Sequence, residues 1–425
     1  MSIDFVLPRT SFHFPTSGFF RRMSCILAIA ALALIVMPAD AQNFSIVNSF
    51  TGGTAGQGPQ VGVTMDRGGN LYGTTTRGGY LGGDCQQQLG CGLVYKLTAH
   101  GSGWTLSPLY AFTGSSDGNM PLSRVVFGPD GALYGTTQSG GIGCNGDGCG
   151  TIYRLTPPAT ICRSFSCPWT ETIIHKFNGF DGAMPSGDLV FDQSGNIYGT
   201  TQKGGMDNEG TVFQLSHSSG GWTLNTLLSC TFASGLAPQS GVILDQAGNV
   251  YGTTYAGGSG FGVVFELSPS GSGWSEAILY TFHDGADGGY PSGLIFDAAG
   301  KLYGMTFVGG VNGRGTVFQL SPSDGSWSLL VLHSFTGGLG GGTLLASLTF
   351  DPAGNLYGVT TNAGQNGAGN VFELSNGDLT YTDLYDFPNG GGNPYGTLLL
   401  NNGTLYGTTL LGGMDGLGTV FAVTP

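Results

Sequence analysis

The chain has 425 residues, 80 of them glycine, with only 9% charged and 11% aromatic. Glycine at this level without a collagen-like period, beside many aromatic and β-branched residues, implies short strands joined by tight turns. A net charge of −13 repels phosphate backbones and excludes nucleic acid as a partner.

In chain order, the first element is a leader. Arg9, Arg21 and Arg22 precede an apolar run over residues 25–37, and Ala39-Asp40-Ala41 is a small-x-small cleavage site. The run is too short for the ~20 residues that span a bilayer as a helix. Residues 1–41 therefore read as an export signal cleaved after Ala41, and the twin arginines also suit a Tat route. The leader removes three basic and two acidic residues, which moves the net charge from −13 to −14. No second apolar segment and no C-terminal anchor are evident. The expected product is a soluble monomer over 42–425, in the periplasm or the medium, without a membrane span.

Residues 44–50 (FSIVNSF) read as a strand and are followed by Thr-Gly-Gly. A block close to D-x-x-G-N-L-Y-G-T-T then recurs seven times, with its Tyr-Gly pairs at 72, 134, 198, 251, 303, 357 and 406. The first two spacings are 62 and 64 residues and the rest run from 49 to 54, the excess being cysteine-bearing insertions. After the leader no long segment carries helical apolar spacing, so the class is all-β. In the fourth unit, strand A is 241–245 (GVILD) and a turn Asp-x-x-Gly-Asn leads to strand B, 249–254 (NVYGTT). Strand C is 262–267 (GVVFEL), after the Gly257-Gly258 loop, and strand D is 274–282 (WSEAILYTF). Four such antiparallel strands make a propeller blade.

Seven A-B-C sets are followed by only six D strands, at 104–112, 169–177, 222–232, 274–282, 327–335 and 379–387. Residues 44–50 share the D pattern, so the N-terminal strand is expected to complete the last blade and leave no open sheet edge. An open solenoid would instead carry polar caps at both ends. The expected fold is a seven-bladed β-propeller, one domain over 42–425.

The pattern GNLYGTT–GG–GTVFxL resembles the repeat of GloVer-containing proteins, a bacterial family of exported chains whose sorting anchors vary. The resemblance covers residues 43–425. Met305 and Val359 depart from it in place of the first Thr, Ala363-Gly364 in place of the glycine doublet, and Asn401-Asn402 in place of the turn Asp. It implies a propeller-like repeat protein and brings no activity, ligand or cofactor with it.

Three close cysteine pairs read as local disulfide staples of an oxidising compartment: Cys85 with Cys91, Cys144 with Cys149, and Cys162 with Cys167. A zinc site would need Cys-x-x-Cys knuckles or nearby His. Cys230 reads as a buried free thiol. The turn aspartates Asp66, Asp130, Asp192, Asp245, Asp297 and Asp351 suit backbone capping better than calcium, which needs six to eight converging oxygens. Tyr of the Tyr-Gly-Thr-Thr run is expected between blades, with its threonines bonding across strands; the competing reading lines the channel with their hydroxyls. Trp104, Trp169, Trp222, Trp274 and Trp327 open D strands and are expected to cover the rim.

Function is sought on the face shared by the D-to-A and B-to-C loops. Its candidate binding residues are Asp117, Asp181, Asp284, Asp287, Tyr80, Tyr290 and Tyr395. They read either as turn chemistry or as a shallow acidic, aromatic surface for a glycan, a cation or a protein. The histidines His100, His175, His217, His283 and His333 form no His-x-x-x-His pattern, and there is no nucleophile elbow. The expectation is a non-catalytic binding module for an extracellular glycan or cell-surface protein, without metal or cofactor. Its rivals are a hydrolase or lyase acting on sugars or lactones through the loop aspartates, and a structural envelope component.

Overall fold

The computed structural model describes residues 43–425 apart from 115, 142, 159–168, 272, 324, 338–345 and 363. The leader and Ala363 lie outside the described residues. So do Cys162 and Cys167, and with them the third staple expected from sequence. Seven antiparallel sheets form the fold, one for each Tyr-Gly pair, here blades one to seven. Blade four runs Ile243–Leu244, Val250–Thr253, Val263–Ser270 and Gly273–Thr281, in spatial order A-B-C-D. In blades three and five, Ala183–Pro185 and Gly289–Pro291 add a short fifth strand against the end of strand B.

Strand A is shorter than its sequence suggests, with two paired residues in most blades, such as Ile243 and Leu244 against Tyr251 and Val250. The residues just before it also bond to the neighbouring blade. Thr200, Thr253 and Thr408 donate their hydroxyls to the carbonyls of Ser240, Ser292 and Val61 in the next blade, at 2.8, 2.9 and 2.9 Å. Thr408 to Val61 links blade seven to blade one. Met305 and Val359 occupy this position in blades five and six and are buried in the core instead. The second threonine pairs with the one opening strand C, as in Thr201 with Thr211 at 2.8 Å. These hydroxyls are therefore used within the scaffold, whereas the matching Thr136 Oγ1 of blade two is buried without a partner.

The A-to-B turn is built around its aspartate. Asp192 Oδ1 accepts from the Ser194 and Asn196 N–H groups, and Oδ2 from Asn196 Nδ2 and the Tyr198 hydroxyl. In the matching turn of blade one, burial opposes the charge on Asp66. Hydrogen bonds from Asn70, Tyr72 and Gly68 outweigh it and hold the carboxyl below its ordinary value. The glycine after each turn tyrosine answers a contact: a Cβ on Gly252 would lie 2.5 Å from the Phe265 ring carbon Cζ, so strand C lays its aromatic across strand B there.

The core lies between blades rather than within them, each apolar cluster joining neighbours. The residue ending strand D packs edge-on against the strand C aromatic of the next blade. Phe50–Tyr95, Phe112–Tyr153, Phe177–Phe213, Phe282–Phe318, Phe335–Phe372 and Phe387–Phe421 have centroid distances between 5.0 and 5.4 Å. Between blades three and four the position belongs to Cys230, whose N–H bonds Gly210 O as Phe112 bonds Gly92. Strand D of blade three accordingly ends at Ser229, and Phe232, read from sequence as its last residue, is exposed. Burial pushes the Cys230 thiol up to about 12, so it stays protonated.

The tryptophans correct the rim expectation. Trp169, Trp222, Trp274 and Trp104 lie 6.2–6.4 Å from Tyr72, Tyr134, Tyr198 and Tyr406 of the preceding blade. They are seam residues, and the same tyrosines meet strand A phenylalanines across the seam, as in Tyr72–Phe127 at 5.2 Å. Their partners lie in a different repeat, so the strand position alone pointed outward.

The N-terminal strand Asn43–Ser49 pairs with Thr419–Thr424 and is the D strand of blade seven. Its bulge between Ile46 and Asn48, facing Phe421 and Val420, falls where blades one to six carry theirs. Phe44 stacks on Tyr385 of blade six at 3.7 Å with a 1° tilt. Phe44→Ala should lower the unfolding free energy by about 2 kcal/mol, less than the ~3–5 kcal/mol of a fully buried Phe. A urea titration giving a change near zero would mean that this strand does not hold the ring closed.

The seam of blades one and two carries a titratable group. Glu171 Oε1 is buried without a hydrogen-bond partner. Burial first, then the charge of Asp117, push its carboxyl up to about 7, with Lys176 opposing. The folded state thus binds this proton more tightly than the unfolded chain. The resulting stability is complete below the ordinary carboxyl range near 4.5 and is lost as pH rises through about 7. Glu171→Gln should melt with the parent at pH near 4.5 and at a higher temperature than the parent above pH 8, as followed by circular dichroism.

Candidate functional site

The loops that enter strand A converge on the axis and form the mouth of the central channel. Adjacent blades approach closely there: a Cβ on Gly396 would lie 2.2 Å from the Gly62 nitrogen, and one on Gly187 2.5 Å from that of Gly241. The cavity they leave holds about 200 Å³ and is lined by D-to-A and B-to-C loop residues, so it belongs to the face singled out from sequence.

The mouth has three kinds of wall. Asp188 takes the Arg124 N–H at 2.8 Å and pairs with Arg124 Nε at 3.1 Å, joining blades two and three. Amides and hydroxyls come next: Gln202 Nε2 donates to Ser186 Oγ at 2.8 Å, Ser186 Oγ donates to Gln239 O, and Gln60 and Thr397 complete this wall. The third wall is aromatic. Tyr255 and Tyr290 stack at 4.6 Å with 13° between their planes, and Tyr395 lines the same space. Burial, then the charge of Tyr290, raises the Tyr255 hydroxyl above its ordinary value, so it remains a protonated donor.

The position of Tyr290 follows from a latch repeated between blades. A residue with positive φ precedes a proline at Gly58, Met120, Met184, Ala237, Tyr290 and Asn393, with φ from 51 to 67°. Each donates its N–H to the preceding blade, as Tyr290 does to Phe261 O at 2.7 Å and Met184 to Cys149 O at 2.9 Å. The next proline ring closes on the glycine that opens strand C, Pro291 Cδ lying 2.7 Å from where a Gly262 Cβ would be. A left-handed residue before proline is strained unless Gly, and the latch bond offsets the strain.

Of the sequence candidates, Tyr290 and Tyr395 are brought together in the mouth. Asp117, Asp181 and Asp287 are turned into their own loops. Asp117 accepts from the Tyr110 hydroxyl at 2.8 Å and from Thr113, and Asp181 bonds His175 Nε2 at 3.0 Å and Asn178. Asp287 accepts from Tyr280 and pairs with His283. Asp284 is exposed at φ 57°, and Tyr80, also exposed, lies on the blade one B-to-C loop away from the mouth lining.

Sequence reasoning missed Arg124, Asp188, Gln60, Gln202, Gln239 and Tyr255. A signal was present. Aligning the repeats on the buried residue that opens strand A places Gly62, Arg124, Asp188, Gly241, Gly293, Ser347 and Thr397 at one position. Two opposite charges at a position otherwise small, in consecutive repeats, mark a pair across a seam.

Of the three expected staples, Cys85–Cys91 and Cys144–Cys149 are formed. The disulfides of the described residues do not include a bond between Cys162 and Cys167, because both cysteines fall within 159–168, outside those residues. Among the described residues no helix is long and apolar enough to cross a membrane.

The sequence matches the family described as the Gloeobacter/Verrucomicrobia repeat over residues 33–259, 146–349 and 259–425. No curated protein matches it in sequence. Among solved structures, it is similar to the extracellular domain of a protein assigned as a one component system from B. thetaiotaomicron. That match has TM-score 0.51 and 12% identity, covering 90% of this chain and 42% of the other. It is also similar to a protein assigned as a 6-phosphogluconolactonase from Bacteroides uniformis (TM-score 0.47, 14% identity, 77% and 90% covered). A third similar structure is a PQQ-bound aldose sugar dehydrogenase from Streptomyces coelicolor (0.46, 10%, 91% and 99%). At these identities the likeness shows the fold alone.

If Asp117 serves its loop, Asp117→Ala should cost about 2 kcal/mol of stability by leaving buried donors unpaired, and leave ligand binding at the mouth unchanged. Thermal unfolding and a binding isotherm on the same sample separate the two; loss of binding with intact stability would return Asp117 to the site.

Proposed function

The chain belongs to the Gloeobacter/Verrucomicrobia repeat family, and on that premise we propose that it is an exported, non-catalytic binding module that takes the uncharged end of an extracellular glycan at its channel mouth. The observation carrying this is the stacked Tyr255–Tyr290 pair beside a self-neutralised Arg124–Asp188 pair. A sugar ring has an apolar C–H face, which suits a tyrosine face, and equatorial hydroxyls, which suit the amides, Ser186 and the ion pair. With both charges already paired, an ionic ligand gains little there. At about 200 Å³ the mouth is smaller than the roughly 300–1,000 Å³ pockets of drug-sized ligands and suits a single ring entering end-on.

The non-catalytic reading is supported by the state of the acidic groups. Glycoside hydrolases generally set two carboxyl groups about 5–10 Å apart across the bond they cleave. Asp188 is the one carboxylate lining the mouth among the described residues and is held by Arg124, while Asp117, Asp181 and Asp287 serve their loops. The disulfide staples support export.

A glycan array, with and without calcium, followed by mass analysis of the bound glycan, tests this. The expected result is a retained, unaltered glycan. Tyr290→Ala or Tyr395→Ala should weaken binding about tenfold or more, equivalent to roughly 1.4 kcal/mol, while Tyr80→Ala should not. A cleaved glycan would establish a hydrolase instead, and silence across the array would leave the structural role as the better reading.

A further inference from the structure

The seven-fold pattern of the loop face is broken in blades one and two, where the stapled insertions stand. Between them and blade three lies a second, larger cleft of about 1200 Å³. Its lining includes Arg77 and Lys203, Asp84 and Asp147, and the latch residues Met120 and Met184. We infer that this cleft is a docking site for an extended peptide segment of a partner protein, one carrying apolar side chains and an acidic residue.

Four observations support this occupant. The first is the latch itself. Blade one shows that glycine serves at the left-handed position before proline, yet blades two and three keep methionine there at φ 56 and 57°, with the strain that follows. What those side chains add beyond the latch is an apolar floor to the cleft, and methionine adapts to varied apolar partners.

The second is exposed apolar surface. Leu89, in the lining, is 61% exposed, and Phe180 and Met206, in the loops that also supply Met184, Lys203 and Asn208, are each 89% exposed. Large apolar side chains clustered within a polar rim mark an interaction surface.

The third is charge. Arg77 makes no ion pair among the described residues, and Lys203 reaches only Glu209, at 3.7 Å, while Asp84 and Asp147 share the lining, so the cleft presents both signs of charge. A carboxylate on the partner complements the two cations.

The fourth is the contrast with the mouth. The lining of this cleft contains no aromatic residue, so it offers no platform for a sugar ring, and its volume exceeds that of a single small ligand. The staples Cys85–Cys91 and Cys144–Cys149 tie its walls, which lowers the ordering cost of binding.

The test uses the whole exported chain, immobilised and panned against phage-displayed random dodecapeptides. Peptides with spaced apolar side chains and an acidic residue should be enriched. Their affinity should fall at least tenfold in a Met120→Gly/Met184→Gly double variant and in Arg77→Gln, with no change in Tyr290→Ala. Glycine is at home at both left-handed positions, so the double variant keeps the fold, and its melting temperature confirms that. Absence of enrichment, or equal binding by parent and double variant, overturns the inference. An oligosaccharide whose binding is lost in the double variant would overturn the peptide assignment as well. Because Tyr290→Ala touches only the mouth, failure here and failure of the glycan reading are distinguishable.

Discussion

The structure depends on one contact made at six of the seven blade seams, Cys230 standing in at the other: the aromatic that ends strand D set edge-on to the strand C aromatic of the next blade. These rings, about 5 Å apart from Phe50–Tyr95 round to Phe387–Phe421, are fully buried. A single four-stranded sheet of this width has no interior of its own, so it buries apolar surface only by stacking on a neighbour. The ring in strand C must then lie flat across strand B, and that leaves room for nothing but glycine after each turn tyrosine. The Tyr-Gly signature and the packing are one constraint seen at two levels.

Closure follows from the same requirement. Six seams stack consecutive repeats, and the seventh has to join the two ends of the described chain. Asn43–Ser49 does this as a borrowed D strand, bringing Phe44 against Tyr385 and Phe50 against Tyr95, while Thr408 bonds Val61 across the join. A ring held at every seam has little freedom near its axis. The latch residues can therefore remain left-handed before proline, and the mouth and the blade one-to-three cleft sit on preorganised walls.

Much of this was legible in the sequence. The number of blades, the four strands of each, the borrowed strand and the staples Cys85–Cys91 and Cys144–Cys149 follow from periodicity and counting. The turn aspartates were also legible, because their donors lie within six residues, as Asp192 shows with Ser194, Asn196 and Tyr198. Cys230 was read correctly as a buried free thiol, but its seam position and the seam contacts of the tryptophans were missed for the opposite reason. Trp169 meets Tyr72, and Cys230 stands where other seams have phenylalanine; both facts appear only when one repeat is set against the next.

The site divides along the same line. Its loop face was predictable, since strand polarity puts the D-to-A and B-to-C loops together, and Tyr290 and Tyr395 were identified there. The aspartates beside them looked equally eligible, because a carboxylate in an Asp-Gly turn has the same sequence whether it faces solvent or its own backbone. Which way it turns depends on a donor such as the Tyr110 hydroxyl or His175, placed by the strand before it. Repeat identity, chain order and local turn chemistry thus belong to the sequence, because they rest on neighbours within a few residues. The Arg124–Asp188 pair, the stacked tyrosines and the cleft between the staples were decided by tertiary structure, because each joins residues of different blades that only the closed ring brings within reach.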